Sequence, residues 1–202
     1  PPSSLVVDPY SPSTLYAVAG GLYRSIDGGE SWRAIPIPGV MPYLLTLVVI
    51  DPTTPDTLYV STRSGGSVDP PPGIYKSTDG GPTWREIWKA AVSALALDPS
   101  NPSTLYAAQI GSWKYDGVWK SFDGGGTWFR TSLVGYVAQL FLDPQDTSTL
   151  YAVWNESTEF RNVLVKSTDG GENWSRTGSD AQNILTPVVY DRQSRLFYAL
   201  TT

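Results

Sequence analysis

The sequence predicts an all-β fold, namely a β-propeller built from four-stranded antiparallel blades. One observation is an eight-residue segment that occurs four times in nearly the same letters. A second is a ten-residue segment that precedes each copy, and a third is the absence of any sustained helical period. Repeats of about 45 residues that each contain several short strands are typical of propellers.

The eight-residue segment, which we call the box, reads SIDGGESW, STDGGPTW, SFDGGGTW and STDGGENW. Its copies cover Ser25–Trp32, Ser77–Trp84, Ser121–Trp128 and Ser167–Trp174. The preceding segment begins with an Asp-Pro turn, the DP loop, and leads into a T-L-Y-A type strand. It starts at Asp8, Asp51, Asp98 and Asp143, with a degenerate fifth copy from Asp191.

Each unit is predicted to contain four strands. The first is an apolar run of the kind that suits a strand buried on both faces. These runs are Leu5–Val7, Leu45–Ile50, Leu95–Leu97, Leu140–Leu142 and Val188–Tyr190. The second strand follows the DP loop, the third ends at the serine of the box, and the fourth begins at its tryptophan. The predicted blades cover about 1–38, 39–90, 91–133 and 134–178, with a partial, two-stranded fifth over 179–202.

The box has the chemistry of a tight turn. Its aspartate, which is Asp27, Asp79, Asp123 or Asp169, can accept N–H groups from the residues that follow. The next glycine is expected to adopt a positive φ. The tryptophan, which is Trp32, Trp84, Trp128 or Trp174, is expected to fold back as an apolar plug. We therefore expect a structural role for these eight residues and no metal or sugar bound by the aspartates.

All four boxes fit the pattern Ser-x-Asp-x-Gly-x-x-Trp, and the chain therefore resembles Asp-box, or BNR, repeat β-propellers. This group includes sialidases, xyloglucan-degrading hydrolases, sortilin-type receptors and photosystem II assembly factors. The DP loops resemble those of bacterial extracytoplasmic Asp-box proteins. The resemblance implies the fold and an extracellular or periplasmic location, with any signal peptide already removed. It does not select a function, because these relatives have unrelated functions.

Composition excludes several classes of function. The chain of 202 residues has 14 Lys and Arg against 19 Asp and Glu, which gives a net charge of −5. This balance argues against nucleic acid as a partner. No apolar run is long enough to span a membrane. The absence of Cys and His removes disulfides, thiolate or imidazole metal sites and histidine-dependent catalysis. We expect neither a metal nor a cofactor.

Loops that vary between blades are predicted to lie opposite the boxes and to form the binding face. The residues expected to contact a protein or glycan there are Arg63, Trp113, Lys114, Tyr115, Asp116, Glu156, Glu159 and Arg161. The same face is expected to carry an aromatic set: Tyr43, Trp88, Trp113, Tyr115, Tyr136, Trp154 and Phe160. Aromatic rings beside polar groups suit sugar stacking or a protein hot spot.

The leading hypothesis is a non-catalytic scaffold or recognition module. The alternative is a glycoside hydrolase, or a fragment of one, because such enzymes use two carboxylates about 5–10 Å apart. The candidates would be two of Asp116, Glu156, Glu159 and Asp180. Four of the nine arginines, namely Arg33, Arg85, Arg130 and Arg176, repeat on outer strands, and no arginine-containing F/Y-R-I-P segment of the sialidase type occurs.

The predicted strand count leaves the last strand, Leu196–Leu200, at an apolar edge. Soluble proteins avoid such open edges. We expect the edge to be covered by further blades of a longer propeller or by another chain through self-association. The remaining alternative is a closed five-bladed ring in which the last blade has two strands.

Overall fold

The computed structural model describes residues 2–63, 71–111, 116–143, 145–156, 161–177, 184–191 and 196–201. The chain divides into two compact units, Pro1–Val92 and Ser93–Thr202.

The first unit contains two four-stranded antiparallel sheets in which neighbours in sequence are neighbours in the sheet. The first sheet consists of β1 (Ser4–Val7), β2 (Leu15–Val18), β3 (Leu22–Ser25) and β4 (Arg33–Ile35). A short 3-10 turn, Pro42–Leu44, leads into the second sheet. That sheet consists of β5 (Leu45–Ile50), β6 (Leu58–Thr62), β7 (Ile74–Ser77) and β8 (Arg85–Trp88).

Three sheets follow with the same meander order. The third sheet, whose first strand begins two residues before the second unit, consists of β9 (Ala91–Leu97), β10 (Leu105–Ile110), β11 (Gly117–Ser121) and β12 (Phe129–Val134). The fourth consists of β13 (Val137–Asp143), β14 (Asp146–Glu156), β15 (Arg161–Ser167) and β16 (Ser175–Arg176). The last sheet has two strands, β17 (Ile184–Asp191) and β18 (Leu196–Thr201). The prediction of four full blades and a two-stranded fifth is confirmed.

The core of each unit lies between consecutive sheets. In the first unit, Val48 and Val60 of the second sheet share a buried cluster with Tyr16, Val18 and Leu22 of the first. In the second unit, the cluster joins residues of the third and fourth sheets: Tyr106, Ala108, Val118, Leu140, Leu150 and Ala152. Burial of apolar side chains between sheets is the main force that holds such blades together.

Two details of the strand prediction are wrong. The expectation that the first strands are buried on both faces fails for β1, because Leu5 is 53% and Val7 48% exposed. Only the alternate residue Val6 packs against the core of the first unit. The fourth strands also begin one residue after the box tryptophan, at Arg33, Arg85, Phe129 and Ser175. Each tryptophan is held in the turn by its own indole N–H group.

The DP loop and the box of a blade lie at the same end of their sheet. In each of the first four sheets the first box glycine donates its N–H to a DP-loop carbonyl at 2.8 Å. The pairs are Gly28 with Ser13, Gly80 with Asp56, Gly124 with Ser103, and Gly170 with Ser148. We call this the box end of the sheets. The opposite end, which carries the loops that differ between blades, is the variable end.

Candidate functional site

The box aspartate is fully engaged within its own turn. Asp123 accepts the Ser121 hydroxyl at 2.8 Å and the Thr127 N–H at 2.8 Å on Oδ1, and the Thr127 hydroxyl at 2.8 Å on Oδ2. Hydrogen bonds from the Thr127 backbone, the Ser121 hydroxyl and the Thr127 hydroxyl lower the pKa of Asp123 to about 2. Asp27, Asp79 and Asp169 make the same contacts.

The fourth residue after the aspartate donates the hydrogen bond to Oδ2, and it was not among the predicted functional residues. It is Ser31, Thr83, Thr127 or Asn173, so every box places a side chain with an O–H or N–H donor there. The recurrence of a side-chain donor at this position was the sequence signal that could have identified it. Both carboxylate oxygens accept hydrogen bonds from within the turn, which agrees with the structural role expected for the aspartates.

Both glycines of the box lie in the left-handed region, whereas only the first was expected to. In the second box φ is 73° at Gly80 and 108° at Gly81. A Cβ at Gly81 would lie 2.8 Å from the Cγ2 atom of Ile35 in the preceding sheet. The second glycine is thus required by its φ and by close approach to a neighbouring blade.

The box tryptophans differ in burial. Each indole N–H donates to the carbonyl of the second box glycine, as Trp84 does to Gly81 at 2.8 Å. Trp84 and Trp174 are half-buried against the cores of their units. Trp32 is 41% exposed, so the expectation of an apolar plug is wrong for the first box.

At the variable end of the second unit, two hydrogen bonds to its backbone carbonyl hold Asp116 in place. Its carbonyl oxygen accepts the Gly135 N–H at 3.1 Å and an Arg130 guanidinium N–H at 3.0 Å. The indole of Trp154 donates to the Val134 carbonyl at 2.8 Å. These contacts join the ends of the third and fourth sheets around the linking turn.

Glu156 and Arg161 are brought together by strand register. They face each other as the last pair between β14 and β15, and their side chains form an ion pair with 3.7 Å between Nε and Oε2. The other carboxylate oxygen of Glu156 receives a hydrogen bond from Arg176. Arg176 was assigned to an outer strand and not to the site. Its approach to Glu156 depends on the pairing of β15 with β16, which gives no local sequence signal.

Two exposed tyrosines lie at the variable end, one in each unit. Tyr43 is 54% exposed, and its carbonyl accepts an N–H from the side chain of the exposed Arg63 at 3.3 Å. Tyr136 is 46% exposed, and its carbonyl accepts the Asn155 N–H at 2.8 Å. The other two described members of the aromatic set, Trp88 and Trp154, are half-buried within strands.

Several predicted residues lie outside the described residues, namely Trp113, Lys114, Tyr115, Glu159, Phe160 and Asp180. Within the described part of the chain, no group of three or more acidic side chains is placed to hold a metal ion. That part also contains no helix with the length and apolar character needed to cross a membrane.

Comparison with known proteins adds to this geometry. The family described as BNR/Asp-box repeat matches residues 165–176, which include the fourth box. Together with the four hydrogen-bonded boxes and the meander sheets, this match decides the class. The chain is a BNR/Asp-box repeat β-propeller.

Proteins similar to this propeller include curated polysaccharide hydrolases. Xyloglucanase Xgh74A of Acetivibrio thermocellus is 27% identical over 168 residues, covering 62% of this chain and 19% of that protein. A xyloglucanase of a Paenibacillus species is 32% identical over 126 residues, covering 55% of this chain and 12% of that protein. The propeller thus matches less than a fifth of the length of these relatives.

A solved structure supports the fold. The GH74 xyloglucanase of Xanthomonas campestris superposes with a TM-score of 0.71 and 18% identity. The match covers 91% of this propeller and 31% of that chain. At this identity the similarity concerns the architecture of the blades.

Proposed function

We propose that this propeller, which is similar in sequence to part of two xyloglucanases, is a glycan-recognition module, and that its variable end binds xyloglucan or a related polysaccharide. The observation that carries the proposal is the similarity to curated xyloglucanases over 55–62% of the chain. Because the matched region is a small part of those proteins, the activity of the whole enzyme is not transferred with it.

Exposed rings at the variable end support the proposal. Tyr43 lies beside Arg63, and Tyr136 lies beside the turn that holds Asp116. A tyrosine presents an apolar ring face and a polar hydroxyl, which suits the apolar face and hydroxyl groups of a pyranose. Tyr43 lies in the 3-10 turn before β5, and Tyr136 lies directly before β13.

In the second unit, the charged group around Glu156 fits a polar rim near Tyr136, whose carbonyl accepts the N–H of the adjacent Asn155. Glu156 is mostly buried and interacts with two guanidinium groups, so its carboxylate is committed to holding the β14–β15 hairpin end against β16. Arg176 remains half-exposed and can donate further hydrogen bonds to sugar hydroxyls.

The second candidate is hydrolysis by this chain, which the names of the similar proteins favour. It would require two carboxylates from Asp116, Glu156, Glu159 and Asp180. Glu156 is a weak candidate, because a carboxylate paired with two arginines serves structure better than proton transfer. We therefore place recognition first.

We also propose an extracellular or periplasmic location, since a polysaccharide of high molecular weight is met outside the cytoplasmic membrane. A protein ligand is the other partner expected from the sequence. It would replace the glycan if the tyrosine variants described next bound glycans normally but lost a protein partner.

Binding of xyloglucan oligosaccharides, measured by isothermal titration calorimetry, tests the proposal. We expect Tyr136→Ala and Tyr43→Ala each to weaken binding about tenfold, which corresponds to about 1.4 kcal/mol. Tyr10→Ala is the matched control, because Tyr10 is an exposed tyrosine in a DP loop at the box end. Equal affinity for all three variants would contradict the assigned face.

A reducing-sugar assay on xyloglucan tests the second candidate in the same preparations. Recognition without hydrolysis predicts no release of reducing ends. Release that is lost in Asp116→Asn or Glu156→Gln, with binding retained, would replace the recognition proposal by hydrolysis.

A further inference from the structure

A groove at the box end of the first unit lies outside the site described above. It has a volume of about 530 Å³, which is within the range of about 300–1,000 Å³ found for ligand pockets. It runs between the first box, β4 and the second box. The side chains that matter here are Arg24, Ile26, Trp32, Arg33, Pro36 and Pro82. We call it the box groove.

Two arginines from neighbouring strands line the box groove. Arg24 and Arg33 are directly paired across β3 and β4, which places their Cβ atoms about 5 Å apart. Like charges at such a position repel each other. Within the part of the chain that the structure describes, neither arginine forms an ion pair. Two cationic residues without an ion-pair partner thus line the groove, together with the acidic residue Asp79.

The surroundings of Arg24 point to a missing acceptor. Its guanidinium lies 5.6 Å from the centroid of the Tyr16 ring, and its buried Nε has no hydrogen-bond partner. A buried donor without an acceptor is costly in a folded protein. The carboxylate of Asp79 lines the groove but already accepts hydrogen bonds from Ser77 and Thr83. Because this Nε is buried, an anion bound in the groove would contact the other N–H groups of Arg24.

The matching position in the second unit is satisfied internally. There the residue is Lys120, whose ammonium lies over Tyr106 at 5.0 Å and donates to the Gly170 carbonyl of the following box at 3.1 Å. In the first unit, Arg24 approaches the following box near Gly80 without a hydrogen bond to it. The unsatisfied cation thus distinguishes the first pair of boxes from the pair in the second unit.

Trp32 adds an exposed ring to the same groove. Its indole N–H donates to the Gly29 carbonyl at 3.0 Å. The ring can therefore contact a ligand through its face but not as a hydrogen-bond donor. The neighbouring Ile26 is exposed as well. An aromatic face without a free donor is suited to the C–H groups of a sugar ring.

We propose that the box groove binds an acidic sugar, namely a uronic acid residue of a glycan. The carboxylate of the uronate lies between Arg24 and Arg33, since a guanidinium binds carboxylates through parallel hydrogen bonds. The pyranose ring stacks on Trp32. This site is separate from the variable end of the first unit and does not depend on the function proposed above.

Calorimetry of the full chain at low ionic strength, with galacturonic acid trimer as the probe, tests the proposal. The neutral galactose trimer is the reference, and we expect it to bind at least tenfold more weakly. Arg33→Gln should reduce affinity for the acidic trimer about tenfold. Arg85→Gln should not, although Arg85 pairs with Lys76 across β7 and β8 as Arg33 pairs with Arg24.

Arg24→Lys provides a second variant that keeps the fold, because lysine occupies the matching positions Lys76, Lys120 and Lys166. We expect an unchanged melting temperature and a loss of affinity for the acidic trimer of about tenfold. Equal binding of the two trimers, or equal loss of affinity in the Arg33 and Arg85 variants, would overturn the proposal. An acidic peptide that binds as tightly as the acidic trimer, with the same response to the variants, would overturn the assignment to a sugar.

The two proposed sites can fail separately. Tyr136→Ala should leave binding of the acidic trimer unchanged, and Arg33→Gln should leave binding of xyloglucan oligosaccharides unchanged. If Tyr136→Ala abolished binding of both probes, the box groove would not be a site of its own.

Discussion

The hydroxyl of Tyr106 donates to the carbonyl of Gly170, 64 positions later in the chain, at 3.3 Å. The bond joins the second strand of one blade to the box of the next. Lys120 donates to the same carbonyl and lies over the Tyr106 ring. The tyrosine of the T-L-Y-A segment and the basic residue before the box therefore act together as a connection between blades.

Removal of the Tyr106 hydroxyl should weaken this connection. We expect Tyr106→Phe to lower the free energy of unfolding by about 1 kcal/mol, the usual contribution of one hydrogen bond. Tyr59 occupies the same position in the second blade, but its buried hydroxyl has no hydrogen-bond partner. Tyr59→Phe should leave stability unchanged or raise it. Urea unfolding of both variants measures the difference, and equal losses would argue against a role for the Gly170 contact.

Alkaline pH should destabilise the protein by ionising the buried tyrosines. Burial raises the pKa of Tyr59 and Tyr106 from 10.0 to about 12. The pKa of these tyrosines is higher in the folded than in the unfolded state. Their contribution to stability is therefore complete below pH 10 and is lost as pH rises toward 12. The midpoint of urea unfolding should therefore fall over this range. The fall should be smaller in Tyr59→Phe, and an equally steep fall in that variant would contradict the assignment.

Acid should destabilise the boxes. Hydrogen bonds lower the pKa of Asp79, Asp123 and Asp169 from 3.8 to about 2. Because the pKa of these aspartates is lower in the folded than in the unfolded state, their ionised form stabilises the fold above about pH 4. This stabilisation is lost as pH falls toward 2. We expect the melting temperature to decline over this range and Asp123→Asn to flatten the decline. Glu30→Gln, an exposed change within the first box, is the control and should keep the wild-type profile.

The box tryptophans should differ in their contribution to stability. Trp84→Ala removes a half-buried ring from the core of the first unit and should cost about 2–3 kcal/mol, less than a fully buried ring would. Trp32→Ala removes the most exposed of these rings and should cost less than half as much. Denaturant titration of the two variants decides this point. Equal costs would mean that the indole hydrogen bond, and not burial, sets the contribution.

The ion pairs of Glu156 should contribute more to the stability of the protein than an ion pair at the surface does. Glu156→Gln leaves Arg161 and Arg176 facing a neutral group in a mostly buried setting, and we expect a loss of about 1–3 kcal/mol. Glu86→Gln is the matched control, because its partner Lys89 is 72% exposed. Its effect should be close to zero. Comparable losses in the two variants would contradict this ranking.

The fold could be predicted because its turns are held by hydrogen bonds between residues close in sequence. The box closes its hydrogen bonds within eight residues, from Ser121 to Trp128 for example, so its letters specify its geometry directly. The DP loop is similarly local, since Asp98 accepts the N–H of Ser100 two residues later. Four copies of such turns, with apolar runs between them, leave little choice other than antiparallel meanders. The number of blades and the order of the strands follow from the repeat.

The candidate site could be predicted only in part. Glu156 and Arg161 were both expected at the variable end, and strand register does pair them. Their third partner, Arg176, comes from another strand and has no marker in its own neighbourhood. The roles of Trp113, Lys114, Tyr115 and Glu159 stay predictions, because these residues lie outside the described part of the chain.

By itself, the sequence determined the turns, the strand order and the repeat, because each depends on contacts between residues close in the chain. Only the tertiary structure decided which side chains of neighbouring blades contact one another. It placed Arg24 and Arg33 beside the second box, left Trp32 exposed, and set Tyr106 against Gly170. These outcomes depend on how one sheet packs against the next, and a local pattern that recurs with few changes, such as the box, does not specify that packing.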